Sequence, residues 1–128
     1  MTFDEVVEQI KKIESEHRQT DIKGYFEMVV AWKSLGELTR ILKSFFSQPY
    51  KPSDIWPTEE AQMLTAPYGG IRENQTLYYS LIGSEFYMAM LWPWADGMLI
   101  TVKLIRGKPQ EKMAVSFFEK MKNLFGKS

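Results

Sequence analysis

A chain of 128 residues with 45% hydrophobic and 25% charged side chains is long enough for one self-contained core and too apolar to be disordered throughout. Its sixteen basic and sixteen acidic residues cancel, which counts against nucleic acid as a partner, because counterion release needs a clustered cationic excess. The absence of cysteine excludes disulfides, thiolate metal sites and cysteine nucleophiles.

Met1-Thr2-Phe3-Asp4-Glu5 carries neither a basic nor an apolar leader region, and no stretch approaches the length of a membrane span. The expectation is therefore a cytoplasmic protein that does not engage a membrane. Residues 3–17 are predicted to form a helix. Phe3, Val6, Val7, Ile10, Ile13 and His17 recur at three- and four-residue spacing, and Thr2 and Glu5 have the spacing of a capping box.

Gln19-Thr20-Asp21 breaks that pattern, and Gly24 opens the next element. Residues 25–32 read either as a strand or as the first part of one long helix. Their β-branched and aromatic content favours the strand. Ser34 and Glu37 have capping-box spacing and point to a fresh helix over 35–46, with Leu35, Leu38, Ile41, Leu42 and Phe45 inward. Pro49, Pro52 and Pro57 make 48–57 irregular. Thr58-Glu59-Glu60 starts a short helix to about Leu64, which Pro67 and Gly69-Gly70 end.

A three-strand antiparallel meander is predicted over 76–105. Gly83-Ser84 is a two-residue hairpin turn that sets Ile82 opposite Glu85, Leu81 opposite Phe86, Tyr79 opposite Met88 and Leu77 opposite Met90. With Trp92 opposite Met98, Met90 meets Ile100, Met88 meets Val102 and Phe86 meets Leu104. That register gathers Leu77, Tyr79, Leu81, Phe86, Met88, Met90 and Trp92 on one core face with Met98, Ile100, Val102 and Leu104. Lys108-Pro109 precedes a last predicted helix over 110–125, with Met113, Phe117, Met121 and Leu124 as its inner stripe. The expected fold is a single α+β domain over 1–128. Its antiparallel sheet, the meander plus strand 25–32, is packed on one face by helices 3–17, 35–46 and 110–125.

The second sheet face is the first place to look for function. In the expected register it mixes polar residues with Tyr78, Tyr87, Leu91 and Leu99, a patch suited to a second copy of the chain or to another protein. Trp94 at the loop tip is a candidate hot spot, and Trp56 and Trp92 are further candidates for a pocket or partner surface. Glu27 and Glu85 would share this face and could divide acid and base roles, but cross-strand charge pairing, Glu85 with Lys103 on a diagonal, is the favoured explanation. Gly69-Gly70 with Arg72 could hold an anion, but a glycine pair without a phosphate-loop lysine is first of all a turn. His17 is the one histidine, so neither a transition-metal site nor a Ser-His-Asp triad is expected, and no cofactor is implied. The reading that follows is a non-enzymatic interaction module, self-associating through the second sheet face. The alternative is a small-molecule-binding protein or enzyme with a site between the sheet and the 48–75 connection, a length of loop that is often functional.

Overall fold

The computed structural model describes residues 1–15 and 20–108. The fold is α+β, a five-strand antiparallel sheet with three helices. Helix α1 runs Phe3–Lys11 and starts as its sequence predicts. The Glu5 amide donates to Thr2 Oγ1 and the Thr2 amide to Glu5 Oε1, each at 3.2 Å. The helix ends earlier than the predicted 17. Ile13 is still buried, but Ser15 already bridges Val30, so the chain leaves the helix to run along the sheet. His17 lies outside the described residues, as does the helix predicted over 110–125.

Strand β1 (Thr20–Ile22) and strand β2 (Tyr25–Ala31) form a hairpin. The strand reading of 25–32 therefore holds. Gly24 turns this hairpin at φ 77°, and a Cβ there would stand 2.8 Å from the Arg106 carbonyl oxygen. Helix α2 spans Leu35–Phe46, as expected. Its start differs from the capping box read at Ser34 and Glu37. Residues 32–34 form one 3-10 turn, and the Leu35 amide donates to the Trp32 carbonyl, so the Ser34 side chain makes no capping bond. Helix α3 spans Glu59–Thr65, capped by the Thr58 hydroxyl, which accepts from the Ala61 amide at 3.1 Å.

Strands β3 (Thr76–Ile82), β4 (Glu85–Pro93) and β5 (Leu99–Gly107) complete the sheet in the order β1-β2-β5-β4-β3. The β3–β4 register is the one Gly83-Ser84 dictates. The β4–β5 register is a correction. Met90 faces Lys103 and not Ile100, and Trp92 faces Thr101 and not Met98, a slip of three residues. An odd slip turns every β5 side chain to the other face relative to β4. The loop causes it. Asp96 Oδ1 accepts the Met98 amide at 2.8 Å, Gly97 donates to the Trp94 carbonyl, and Trp94 to the Leu99 carbonyl, so a tight turn closes inside the loop.

The slip builds two cores. Under α1 and α2 lie Phe26, Met28, Val30, Tyr78, Ala89, Leu91, Ile100, Val102 and Leu104. On the opposite face Leu77, Met88, Met90 and Ile105 pack against Ala61 and Ile71 of the 48–75 connection. Each fully buried aliphatic side chain contributes roughly 1.5–3 kcal/mol.

All six tyrosines titrate above their ordinary range. Burial is the chief cause for Tyr25, Tyr50, Tyr68, Tyr78 and Tyr79. For Tyr87 it is the hydrogen bond to Glu85. A phenol whose folded pKa is raised stabilises the fold fully below its unfolded pKa of about 10 and loses that contribution as pH climbs through the folded value. Burial lowers Lys51 and Lys103, which has the opposite sign and adds stability as pH approaches that range. With six groups against two, urea midpoints are expected to hold to about pH 10 and then fall, with phenolate absorbance appearing together with unfolding. Phenolate absorbance that rises while the midpoint stays flat would contradict this.

Candidate functional site

The face expected to be open is covered by the chain's own helices. Tyr78 is 2% and Leu91 5% exposed, and the Tyr78 ring meets Phe46 of α2 at 5.6 Å. Tyr87 is half-buried against Phe3 and Phe45, with ring centroids 5.0 and 5.5 Å away. The physical reason is the slipped register, which joins Ile100, Val102 and Leu104 to this face and makes it apolar enough to need cover. Leu99 turns to the other face opposite Ala31.

Glu27 and Glu85 do not meet. Glu27 pairs across the sheet with Lys103, whereas Glu85 shares the α1 face with Tyr87 and Arg106. The Tyr87 hydroxyl donates to Glu85 at 2.8 Å, and Arg106 reaches both Asp4 and Glu85. The Tyr87 hydrogen bond first, and Arg106 after it, hold the Glu85 carboxyl below its ordinary range. These are surface ion pairs and contribute little to stability.

Gly69-Gly70 is a turn. The Gly69 amide donates to Ala66 and the Gly70 amide to Thr65, so neither remains to cradle an anion. Arg72 is exposed, and its amide donates to Gln75 Oε1 at 2.8 Å. What organises this segment is a residue the sequence reading passed over. Lys51 is 3% exposed, and its ammonium donates to the carbonyls of Arg72, Glu73 and Gln75. Its backbone also bridges Leu77 at the edge of β3.

Two places remain with chemistry to offer. One is the end of the sheet. Trp32 (44% exposed), Trp94 (40%) and Met98 (68%) project there, and residues 31–33 and 96–99 line an open cavity of about 520 Å³. The backbone beneath is fixed by bonds from Trp32 N to the Met98 carbonyl at 2.8 Å and from Trp94 N to the Leu99 carbonyl at 2.9 Å. Trp94 also donates its indole N–H to Thr101. Trp56 is 75% exposed elsewhere, on the 48–58 loop.

The other is where the connection meets the sheet. Lys103 on the central strand is 8% exposed, lies 3.4 Å from the Trp92 ring centroid and donates to the Tyr68 carbonyl at 3.0 Å. The hint in the sequence was a lysine amid the apolar run Val102-Lys103-Leu104-Ile105. Among the described residues no group of three or more His, Cys, Asp or Glu could hold a metal ion, and no helix is long and apolar enough to cross a membrane. No family model, curated protein or solved structure matches the chain.

Proposed function

We propose that this protein is a non-enzymatic interaction module that associates with a second copy of itself through the sheet end at Trp32, Trp94 and Met98. The observation that carries this reading is one open cavity lined by the exposed Trp32 and Met98 on hydrogen-bonded backbone, with the exposed Trp94 at the same end of the sheet. Exposed tryptophan and methionine on a rigid frame make strong contacts because little ordering entropy is lost on binding. The polar residues first considered for catalysis support the same reading. Glu85 is tied to Arg106 and Tyr87, and Glu27 accepts from the Tyr25 hydroxyl.

Light scattering over a wide concentration range tests it. The mass of the wild-type chain is expected to rise with concentration. Met98→Asp is expected to remain monomeric with an unchanged circular dichroism spectrum and a stability within about 0.5 kcal/mol of wild type, because the site is open. A wild-type chain that stays monomeric throughout sinks the proposal.

A second reading, a small-molecule binder with its site between the sheet and the 48–75 connection, has one observation in its favour: the buried ammonium of Lys103 beneath Tyr68 and beside Trp92.

A further inference from the structure

Beside the Lys103 ammonium, Trp92 holds a buried hydrogen-bond donor for which the described residues supply no acceptor. An ammonium carries three N–H groups. The Tyr68 carbonyl takes one. Glu27, the direct cross-strand partner of Lys103, accepts the Tyr25 hydroxyl at one carboxylate oxygen. The indole Nε1 of Trp92 is buried and has no acceptor among the described residues. A buried donor left unpaired costs about 1–3 kcal/mol, so this indole N–H calls for an acceptor.

The surroundings define what that acceptor is attached to. Tyr25 and Tyr68 stack with centroids 6.5 Å apart, and both are half-exposed, as are Trp92 and Glu27. The walls are thus aromatic, with Lys103 as the floor. Gly69 lies over the outer edge of the indole, where a Cβ would stand 2.5 Å from the ring, so only a residue without a side chain fits. Glu27 beside the lysine disfavours a ligand with more than one negative charge.

We propose that this place binds the carboxylate of a small planar aromatic acid. One carboxylate oxygen accepts from Lys103 and the other from Trp92 Nε1, while the ligand ring lies against Tyr25 and Tyr68. The inference rests on the second reading above and names its ligand class. It is independent of the sheet-end contact.

The test is a magnetic-resonance titration of the isotope-labelled full chain at constant ionic strength. Benzoate is the probe and benzyl alcohol its uncharged counterpart. The indole N–H signal of Trp92, assigned through Trp92→Phe, is the reporter. Benzoate is expected to move that signal saturably, with benzyl alcohol about tenfold weaker or worse, the loss that one charge-assisted hydrogen bond implies. Lys103→Met is expected to weaken benzoate to the same degree. Should that variant not fold, Trp92→Phe keeps the ring and must still weaken benzoate, read on the neighbouring backbone amides. Equal binding of the two probes overturns the proposal, because it would mean apolar contact alone. Benzoate shifts that miss Trp92 but fall elsewhere between the sheet and the connection overturn the Lys103 assignment and leave the second reading standing. The absence of any shift overturns the proposal.

Discussion

Leu91→Asp is expected to unfold the protein rather than to dissociate it. Leu91 is 5% exposed and belongs to the cluster that joins the sheet to α1 and α2. Removing a buried leucine side chain costs roughly 2–5 kcal/mol by itself. An aspartate there would also lose its hydration among apolar side chains. The combined loss is about 5 kcal/mol, at the upper end for a single substitution and comparable to the whole stability of a marginal small domain. Urea titration followed by circular dichroism reads it directly. The prediction also discriminates between registers. In the register expected from the apolar pattern alone, Leu91 faces outward, and the same substitution would leave a folded monomer with an unchanged midpoint. Such a result would contradict the packing described above. Met98→Asp is the paired control, since that position is 68% exposed.

Lys51→Met is expected to cost about 3 kcal/mol, because two opposing effects do not cancel. Methionine matches the lysine stem in length and relieves the penalty of burying a charge. Burial already lowers the Lys51 pKa from its ordinary value, which is the mark of that penalty. Against this, the carbonyls of Arg72, Glu73 and Gln75 all lose their common donor. Arg72 and Glu73 are exposed, so water can replace the donor at their carbonyls, whereas Gln75 is 8% exposed and its carbonyl has less access to water. A hydrogen bond from a charged donor is worth roughly 1.5–3 kcal/mol, and the three share one donor. Hydrogen exchange should show the 72–75 turn and its bridge to β3 opening before the rest of the sheet. A methionine variant as stable as wild type would show that burying the ammonium costs as much as its three bonds return.

How much of this could be read from residues alone varied with the range of the interaction. Helix α2 was placed end to end because its apolar spacing and the β-rich stretch before it are local signals. The hairpin at Gly83-Ser84 was placed to the residue for the same reason, since a two-residue turn leaves one register. The β4–β5 pairing was not legible. Strand β4 is apolar on both faces, with Met88, Met90 and Trp92 on one and Tyr87, Ala89 and Leu91 on the other, so the apolar set Ile100, Val102 and Leu104 of β5 could meet either. Alternation therefore could not choose between registers, and the choice fell to a side-chain turn at Asp96 inside the loop.

The same divide separates the candidate sites. Trp94 was singled out because a large aromatic in a loop is a signal in its own right, and it does stand at the exposed sheet end. Tyr78, Tyr87 and Leu91 were singled out through a register, and they went under the helices with it. Lys51 and Lys103 carry the most unusual environments in the described chain, and neither was singled out. Lys51 gains its surroundings from Arg72 to Gln75, and Lys103 from Tyr68 and from Trp92 on the neighbouring strand, none of them neighbours in the chain.

By itself, the sequence determined the α+β class, the capped start of the first helix, the second helix and the β3–β4 hairpin, because capping, periodicity and a two-residue turn act between neighbours in the chain. Only the tertiary structure decided which sheet face each side chain occupies, and so which residues are open to a partner. That choice depends on a slip of three residues between two strands, and a strand that is apolar on both sides carries no mark of it.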